Sequence, residues 1–329
     1  MLAIEATGLT KHFGPEIRAV DGIDLRVEAG QIFGFLGQNG SGKTTTVRML
    51  TTLLRPTAGT ARVAGVDVLA NPAEVRRRVG VALQEVGLDE LQTGRELLTL
   101  QGRLFGLPAK EAREVAARLL EVVTLTEAAD RPIRGYSGGM KRRLDLACAL
   151  VHGPEIVFLD EPTTGLDPVT RDAVWQYVLE LNRERGVTFF LTTQYLEEAD
   201  RLADTVAIMD RGRIVAEGSP AELKATIGTD VVTLTFGSEA DAGRAAAALN
   251  LFEGVQRVLT AGSEVAVYLP NGAAAVAAIV RLLDEAGAPA RTLVLKQPTL
   301  DDVFLRATGH HLDDGSPRAA EAAAPGGTR

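Results

Sequence analysis

The sequence predicts an α/β protein followed by a second, smaller α/β domain. Three observations carry that reading. Short apolar runs alternate with helix-period stretches over the first 228 residues, a mainly helical block interrupts them between residues 93 and 151, and beyond Gly228 the pattern becomes β-α-β-β-α-β-α. A length of 329 residues, at about 150 per domain, also favours two domains. With 46% hydrophobic, 24% charged and 5% aromatic residues, the chain can bury a sizeable core. Its net charge of -8 counts against a nucleic-acid surface spread over the whole protein. One cysteine, Cys148, excludes an intramolecular disulfide and any multi-cysteine metal site, as suits a reducing cytoplasm.

Taken in order, QIFGFL (31–36) reads as a buried strand and KTTTVRMLTTLL (43–54) as a helix stopped by Arg55-Pro56. AREVAARLLEVV repeats apolar residues at three and four, so a helical insert is expected over about residues 90–152. EIVFLD (155–160), VTFFLTT (187–193) and TVAIMD (205–210) are further buried strands, the last closed by Arg211-Gly212. Gly218-Ser219-Pro220 and Gly228 punctuate a boundary, which places a main domain at 1–225 and an accessory domain at 229–308. There VVTLTF, VQRVL, EVAVYL and ARTLVL read as strands, and the helices between and after them complete a split-βαβ, ferredoxin-like order; Thr299 is the N-cap of the last helix. The Ala/Gly/Pro/Asp-rich tail, 309–329, is expected to stay disordered. No apolar run approaches the about 18 residues of a membrane helix, since AAAVAAIV at 273–280 is followed by Arg281. The start, MLAIEATGLTKHFG, lacks the flank and apolar stretch of a secretory signal.

The strongest chemical signal is Gly37-Gln38-Asn39-Gly40-Ser41-Gly42-Lys43-Thr44, a match to G-x-x-x-x-G-K-[ST] between a buried strand and a helix. The glycines let backbone N–H groups wrap phosphates at the positive end of the helix. Lys43 supplies a charge for β- and γ-phosphates, and the Thr44 hydroxyl suits a Mg²⁺ ligand. Asp160 and Glu161 end the run IVFL. Beside a phosphate loop, Asp160 can hold hydrated Mg²⁺ and Glu161 can orient or deprotonate a water that attacks the γ-phosphate. Tyr136-Ser137-Gly138-Gly139-Met140 offers an N-cap serine and exposed amides before a helix, which is either an anion site or a plain capped turn. Arg76-Arg77-Arg78 and Lys141-Arg142-Arg143 read as solvated helix faces rather than nucleic-acid contacts.

The succession of phosphate loop, Gln84, YSGGMKRR, IVFLDEP, GLDP and TTQYLEEAD resembles the ATP-binding subunits of ABC transporters over about residues 3–225. PTLDDVFLRATGH resembles the drug-resistance exporter branch that includes the daunorubicin/doxorubicin ATPases. The resemblance implies a P-loop NTPase core with a helical signature subdomain, with ATP and Mg²⁺ as cofactors. It implies that Gly37, Asn39, Gly40, Ser41, Gly42, Lys43, Thr44 and Thr45 hold the phosphates, and that Thr44, Gln84 and Asp160 attend the metal. Glu161, Gln84 and Gln194 would serve catalysis. Phe13 would stack on adenine, with a core aromatic as the alternative.

Residues 136–140 stand where the family has L-S-G-G-Q. Ser137, Gly138 and Gly139 keep the hydroxyl and backbone N–H groups that contact the γ-phosphate of ATP held by the other subunit, while Met140 lacks the usual polar side chain. Asp167, in GLDP, resembles the loop that crosses the dimer interface; a turn aspartate before Pro168 is the alternative. Gln194 stands at a switch position that is usually histidine, and its amide can donate and accept but cannot carry a proton. ATP binding is expected to survive and hydrolysis to be retained. The implied assembly is a head-to-tail homodimer around two MgATP, peripheral at the cytoplasmic face of the membrane. It would drive a separate permease that docks near residues 84–105 and expels a drug-like or lipid-like compound. The C-terminal domain would regulate or stabilise the dimer. A soluble ABC ATPase of DNA repair or translation is the rival from another class, but one phosphate loop, one cysteine and no sustained heptads count against it. A nucleotide-gated switch that scarcely hydrolyses would fit Gln194, and the presence of Glu161 counts against that.

Overall fold

The computed structural model describes residues 1–83 and 87–309, so Gln84 and the tail beyond Gly309 lie outside the described residues. Among the described residues two compact units are present, Met1–Pro220 and Ala221–Gly309.

The first unit opens with two long strands, β1 (Leu2–Phe13) and β2 (Ile17–Glu28), then β3 (Ile32–Leu36) and α1 (Lys43–Leu50). β4 (Ala58–Val63), β5 (Val66–Asp67), α2 (Pro72–Arg78) and β6 (Val79–Ala82) follow. The helical block consists of α3 (Gly94–Leu104), α4 (Ala109–Val122) and α5 (Gly138–Leu150). β7 (Ile156–Asp160), α6 (Pro168–Arg185), β8 (Thr188–Thr193), α7 (Leu196–Leu202), β9 (Thr205–Asp210) and β10 (Arg213–Gly218) complete the unit.

Its central sheet has the order β10-β9-β3-β8-β7-β6, parallel throughout except for β10. Both faces are covered, which is why these strands read as unbroken apolar runs. Alternate residues serve opposite cores. Phe33, Phe35, Phe158 and Phe190 point to one side, and Phe190 lies 5.4 to 5.5 Å from each of the other three rings. Val157, Leu159, Phe189 and Leu191 point to the other, against the helical block. Because β8 lies between β3 and β7, the C-terminal ends of these three strands come side by side.

A second sheet, β2-β1-β4-β5, is antiparallel and was not anticipated. Its alternation is broken by Gly8 and Gly22, both at positive φ, and by shifts in the β1–β2 register, so no clean two-residue period reaches the sequence. Helix α1 also stops earlier than expected. Thr52 turns left-handed (φ 65), and the N–H groups of Leu53 and Leu54 bend back to the Arg48 carbonyl at 2.8 and 2.9 Å.

The second unit contains α8 (Pro220–Ile227), β11 (Asp230–Thr235), α9 (Glu239–Leu249), β12 (Arg257–Ala261), β13 (Glu264–Leu269), α10 (Gly272–Glu285), β14 (Thr292–Lys296) and α11 (Leu300–Thr308). The sheet order β12-β13-β11-β14, with antiparallel neighbours, is the ferredoxin-like arrangement: β13 splits β11 from β12. Val232, Leu234, Val265 and Val267 pack on Ala242, Ala245, Leu249, Ile279 and Leu283 of α9 and α10. Thr299 caps α11 through a capping box with Asp302.

Candidate active site

The phosphate loop leaves β3 at Gly37 and enters α1 at Lys43. Two glycines are required by space. A methyl group at Gly37 would lie 2.5 Å from the Met209 carbonyl oxygen, and one at Gly42 would lie 2.2 Å from the Ala19 carbonyl oxygen. Gly42 is also left-handed, at φ 112. The loop borders a cleft of about 290 Å³ lined by Asn39, Gly40, Gly42, Lys43, Thr44 and Thr45, together with Ala19 and Glu161. Ser41 is buried beneath it. Lys43 lies folded over the loop, its Nζ donating to the carbonyls of Gly37 (2.7 Å) and Gln38 (3.0 Å). Burial pushes its pKa down, and the nearby Glu161 and Asp160 carboxylates oppose that shift.

Asp160, the last residue of β7, is buried. Its Oδ1 accepts from the Thr192 hydroxyl on β8 and from the Thr44 hydroxyl at 3.3 Å. Its Oδ2 is buried without a hydrogen-bond partner among the described residues. A buried carboxylate oxygen in need of a partner, next to a threonine hydroxyl, is an oxygen donor set that fits a hard divalent cation. Glu161 lies 3.9 Å from Lys43 Nζ and is also buried. Its backbone is left-handed (φ 49), which costs a non-glycine residue about 1–2 kcal/mol. That conformation is held in part by its N–H, which donates to both the carbonyl and the hydroxyl of Thr192, each at 3.1 Å.

Ser137 caps α5, accepting from the Met140 N–H at 3.3 Å. Ser137 and Gly138 are exposed, and a side chain on Gly138 would meet nothing within 4 Å. Tyr136, at the family's usual leucine, buries its ring and donates its hydroxyl to the Ala128 carbonyl at 2.7 Å. Asp167 caps α6, accepting from the Thr170 N–H (3.0 Å) and hydroxyl (2.6 Å), and these bonds hold its pKa below the usual carboxylate value. Gly139 abuts the same Thr170, so the starts of α5 and α6 adjoin. None of Ser137, Gly138, Gly139 and Asp167 lines the phosphate-loop cleft.

Gln194 follows directly on β8, two residues after Thr192, and is half-buried. Phe13 is 44% exposed, which removes the core-aromatic alternative; the Lys11 ammonium lies 5.3 Å from its ring centre. Gln84 lies outside the described residues.

One reading needs correction. Arg142 is not on a solvated face: it is 7% exposed, and its guanidinium binds the carbonyls of Asp160 and Pro162. Helix periodicity alone does not tell a charged residue facing water from one facing carbonyls at the end of a strand. Glu198 also escaped notice. It is buried on α7 and accepts from the Thr163 hydroxyl (3.0 Å) and the Trp175 indole N–H (2.9 Å), and burial pushes its pKa up. The only sequence signal for it was its place four residues after Gln194.

Family comparison agrees with this arrangement. Residues 20–164 match the ABC transporter family, and residues 218–308 match the C-terminal domain of DrrA1-3-like ATP-binding proteins. The chain is 46% identical to the daunorubicin/doxorubicin resistance ATP-binding protein DrrA of Streptomyces peucetius, over 97% of this chain and 96% of that one. It is 40% identical to the Nod factor export ATP-binding protein I of Ralstonia nicotianae, over 95% of each chain. Among solved structures, a dimeric post-hydrolysis ATP-binding cassette, MJ0796 bound to ADP and Pi, superposes with a TM-score of 0.62 at 25% identity, covering 66% of this chain and 98% of that one. The chain therefore belongs to the ATP-binding subunits of ABC transporters, within the drug-resistance exporter branch, and is an ATPase whose hydrolysis is coupled to transport.

Proposed function

We propose that two copies close head to tail around two MgATP, each nucleotide held by the phosphate loop of one protomer and by Ser137, Gly138 and Gly139 of the other. The observation that carries this reading is the separation within one protomer: the exposed cap of α5 is not part of the cleft that contains Lys43, Thr44 and Glu161. A nucleotide in one cleft therefore needs a second chain to meet that cap. That a solved neighbour is a dimer bound to ADP and Pi supports the pairing of two copies.

In this reading Lys43 turns from the loop carbonyls to the β- and γ-phosphates. Thr44 and Asp160 hold Mg²⁺, with Gln84 assigned to the same metal, and the ion neutralises phosphate charge when bound. Glu161 orients the attacking water and accepts its proton. The Gln194 amide donates to the γ-phosphate, Asp167 meets the partner protomer, and Phe13 offers its exposed ring to adenine.

The permease docks in an apolar groove of about 330 Å³ lined by Leu53, Leu83, Leu88, Leu97, Phe105 and Asp145. No helix among the described residues is long and apolar enough to cross a membrane. In this reading the subunit attaches at the cytoplasmic face through that permease. The relatives' names, daunorubicin/doxorubicin resistance and Nod factor export, support an amphiphilic drug-like or lipid-like cargo. The ferredoxin-like unit serves to regulate or stabilise the dimer.

MgATP hydrolysis measured over a range of protein concentrations, beside Glu161→Gln, tests this reading. Turnover should rise more steeply than in proportion to concentration, and the variant should lose about 10²-fold or more while still binding ATP. Turnover strictly proportional to concentration, or a fully active variant, would contradict it.

A further inference from the structure

Arg142 lies one turn inside α5, beyond the cap that Ser137 provides. Its buried guanidinium reaches four partners. Nε donates to the Pro162 carbonyl at 2.9 Å and Nη2 to the Asp160 carbonyl at 2.8 Å, while Nη1 donates to the Leu83 carbonyl and to Asp145 Oδ2, the latter at 3.3 Å. The two carbonyls of Asp160 and Pro162 belong to the residues immediately before and after Glu161. One planar fork thus grips the chain on both sides of the residue whose backbone is left-handed, while Thr192 on β8 accepts from its N–H. The third carbonyl, Leu83, belongs to the residue directly after β6, and Leu83 and Asp145 both line the apolar groove.

We propose that Arg142 is a positioning residue for hydrolysis. It holds the Glu161 turn in its strained conformation and ties that turn to α5 and to the groove wall, so that a displacement of either is transmitted to the carboxylate. The proposal rests on Glu161 being the catalytic carboxylate. The physical basis is the shape of the group. Guanidinium presents five N–H donors in a fixed plane, and these serve three carbonyls on two separate segments at once. Lysine keeps the charge but concentrates its donors at one point, so it cannot span Pro162, Asp160 and Leu83 together.

The test compares Arg142→Lys and Arg142→Gln with the parent full-length chain, with Glu161→Gln in parallel. Steady-state kcat and KM for MgATP, the Kd of a fluorescent ATP analogue and the melting temperature are measured for each. Loss of correct placement at a reacting group costs about 10²-fold, so kcat should fall by about that factor in Arg142→Lys, while nucleotide Kd stays within about threefold and melting shifts by a few degrees. Arg142→Gln should fall at least as far, and added guanidinium ion should restore part of its kcat without changing Kd. Three results would overturn the proposal. The first is turnover of either variant within about twofold of the parent. The second is joint loss of turnover, nucleotide binding and thermal stability in both variants without rescue, which makes Arg142 a structural residue. The third is full turnover in Glu161→Gln, in which case the catalytic assignment itself fails whatever Arg142 does.

Discussion

Replacing Asp145 by asparagine should stabilise the protein in a way that depends on pH. The Asp145 side chain is 14% exposed on α5, with Arg142 Nη1 3.3 Å from its Oδ2. Burial pushes its pKa up to about 6 from an ordinary 3.8, and the neighbouring guanidinium only partly opposes the shift. As pH rises the unfolded chain releases this proton first, so the folded state loses stability between about pH 4 and pH 6 and remains at the lower level above. A shift of about two units corresponds to about 3 kcal/mol at pH 8 and to about 0.5 kcal/mol at pH 4. Asparagine imitates the protonated acid: it still offers Arg142 an acceptor and never ionises. The variant should therefore gain up to about 3 kcal/mol at pH 8, or about 6–12 °C in melting temperature for a unit of this size, and almost nothing at pH 4. Thermal melts of the isolated chain across that range, at constant ionic strength, measure it. A variant that is less stable than the parent at pH 8, or whose gain is the same at both ends, would show that the Arg142 pair outweighs the desolvation of Asp145.

Two further outcomes follow from the loop and the switch. Gly42→Ala should lower stability by about 3 kcal/mol and abolish tight nucleotide binding, because its methyl group meets the Ala19 carbonyl in a left-handed backbone; Gly40→Ala, with open space at φ 81, should cost about 1 kcal/mol in calorimetric melts. Gln194→Ala should reduce kcat by about tenfold while ATP affinity holds, and unchanged turnover would remove Gln194 from the switch role.

What the sequence determined by itself was local. The spacing of Gly37, Gly42, Lys43 and Thr44 behind a buried strand specifies a phosphate loop, because close approach of the backbone to phosphate needs those residue types in that order. The strands of the central sheet were legible because both their faces are covered, and the accessory domain because its strands and helices alternate cleanly. The antiparallel sheet was not legible, since glycines and register shifts interrupt its period. Tertiary structure alone decided which groups meet. It brings Thr192 to Asp160 and Glu161, leaves Asp160 Oδ2 without a hydrogen-bond partner among the described residues, and turns Arg142 from an apparent surface charge into a fork around Glu161. These contacts join residues 18 to 59 positions apart, such as Arg142 with Asp160 and with Leu83. No periodicity within one segment records them, because they depend on how the helical block packs against the ends of the sheet.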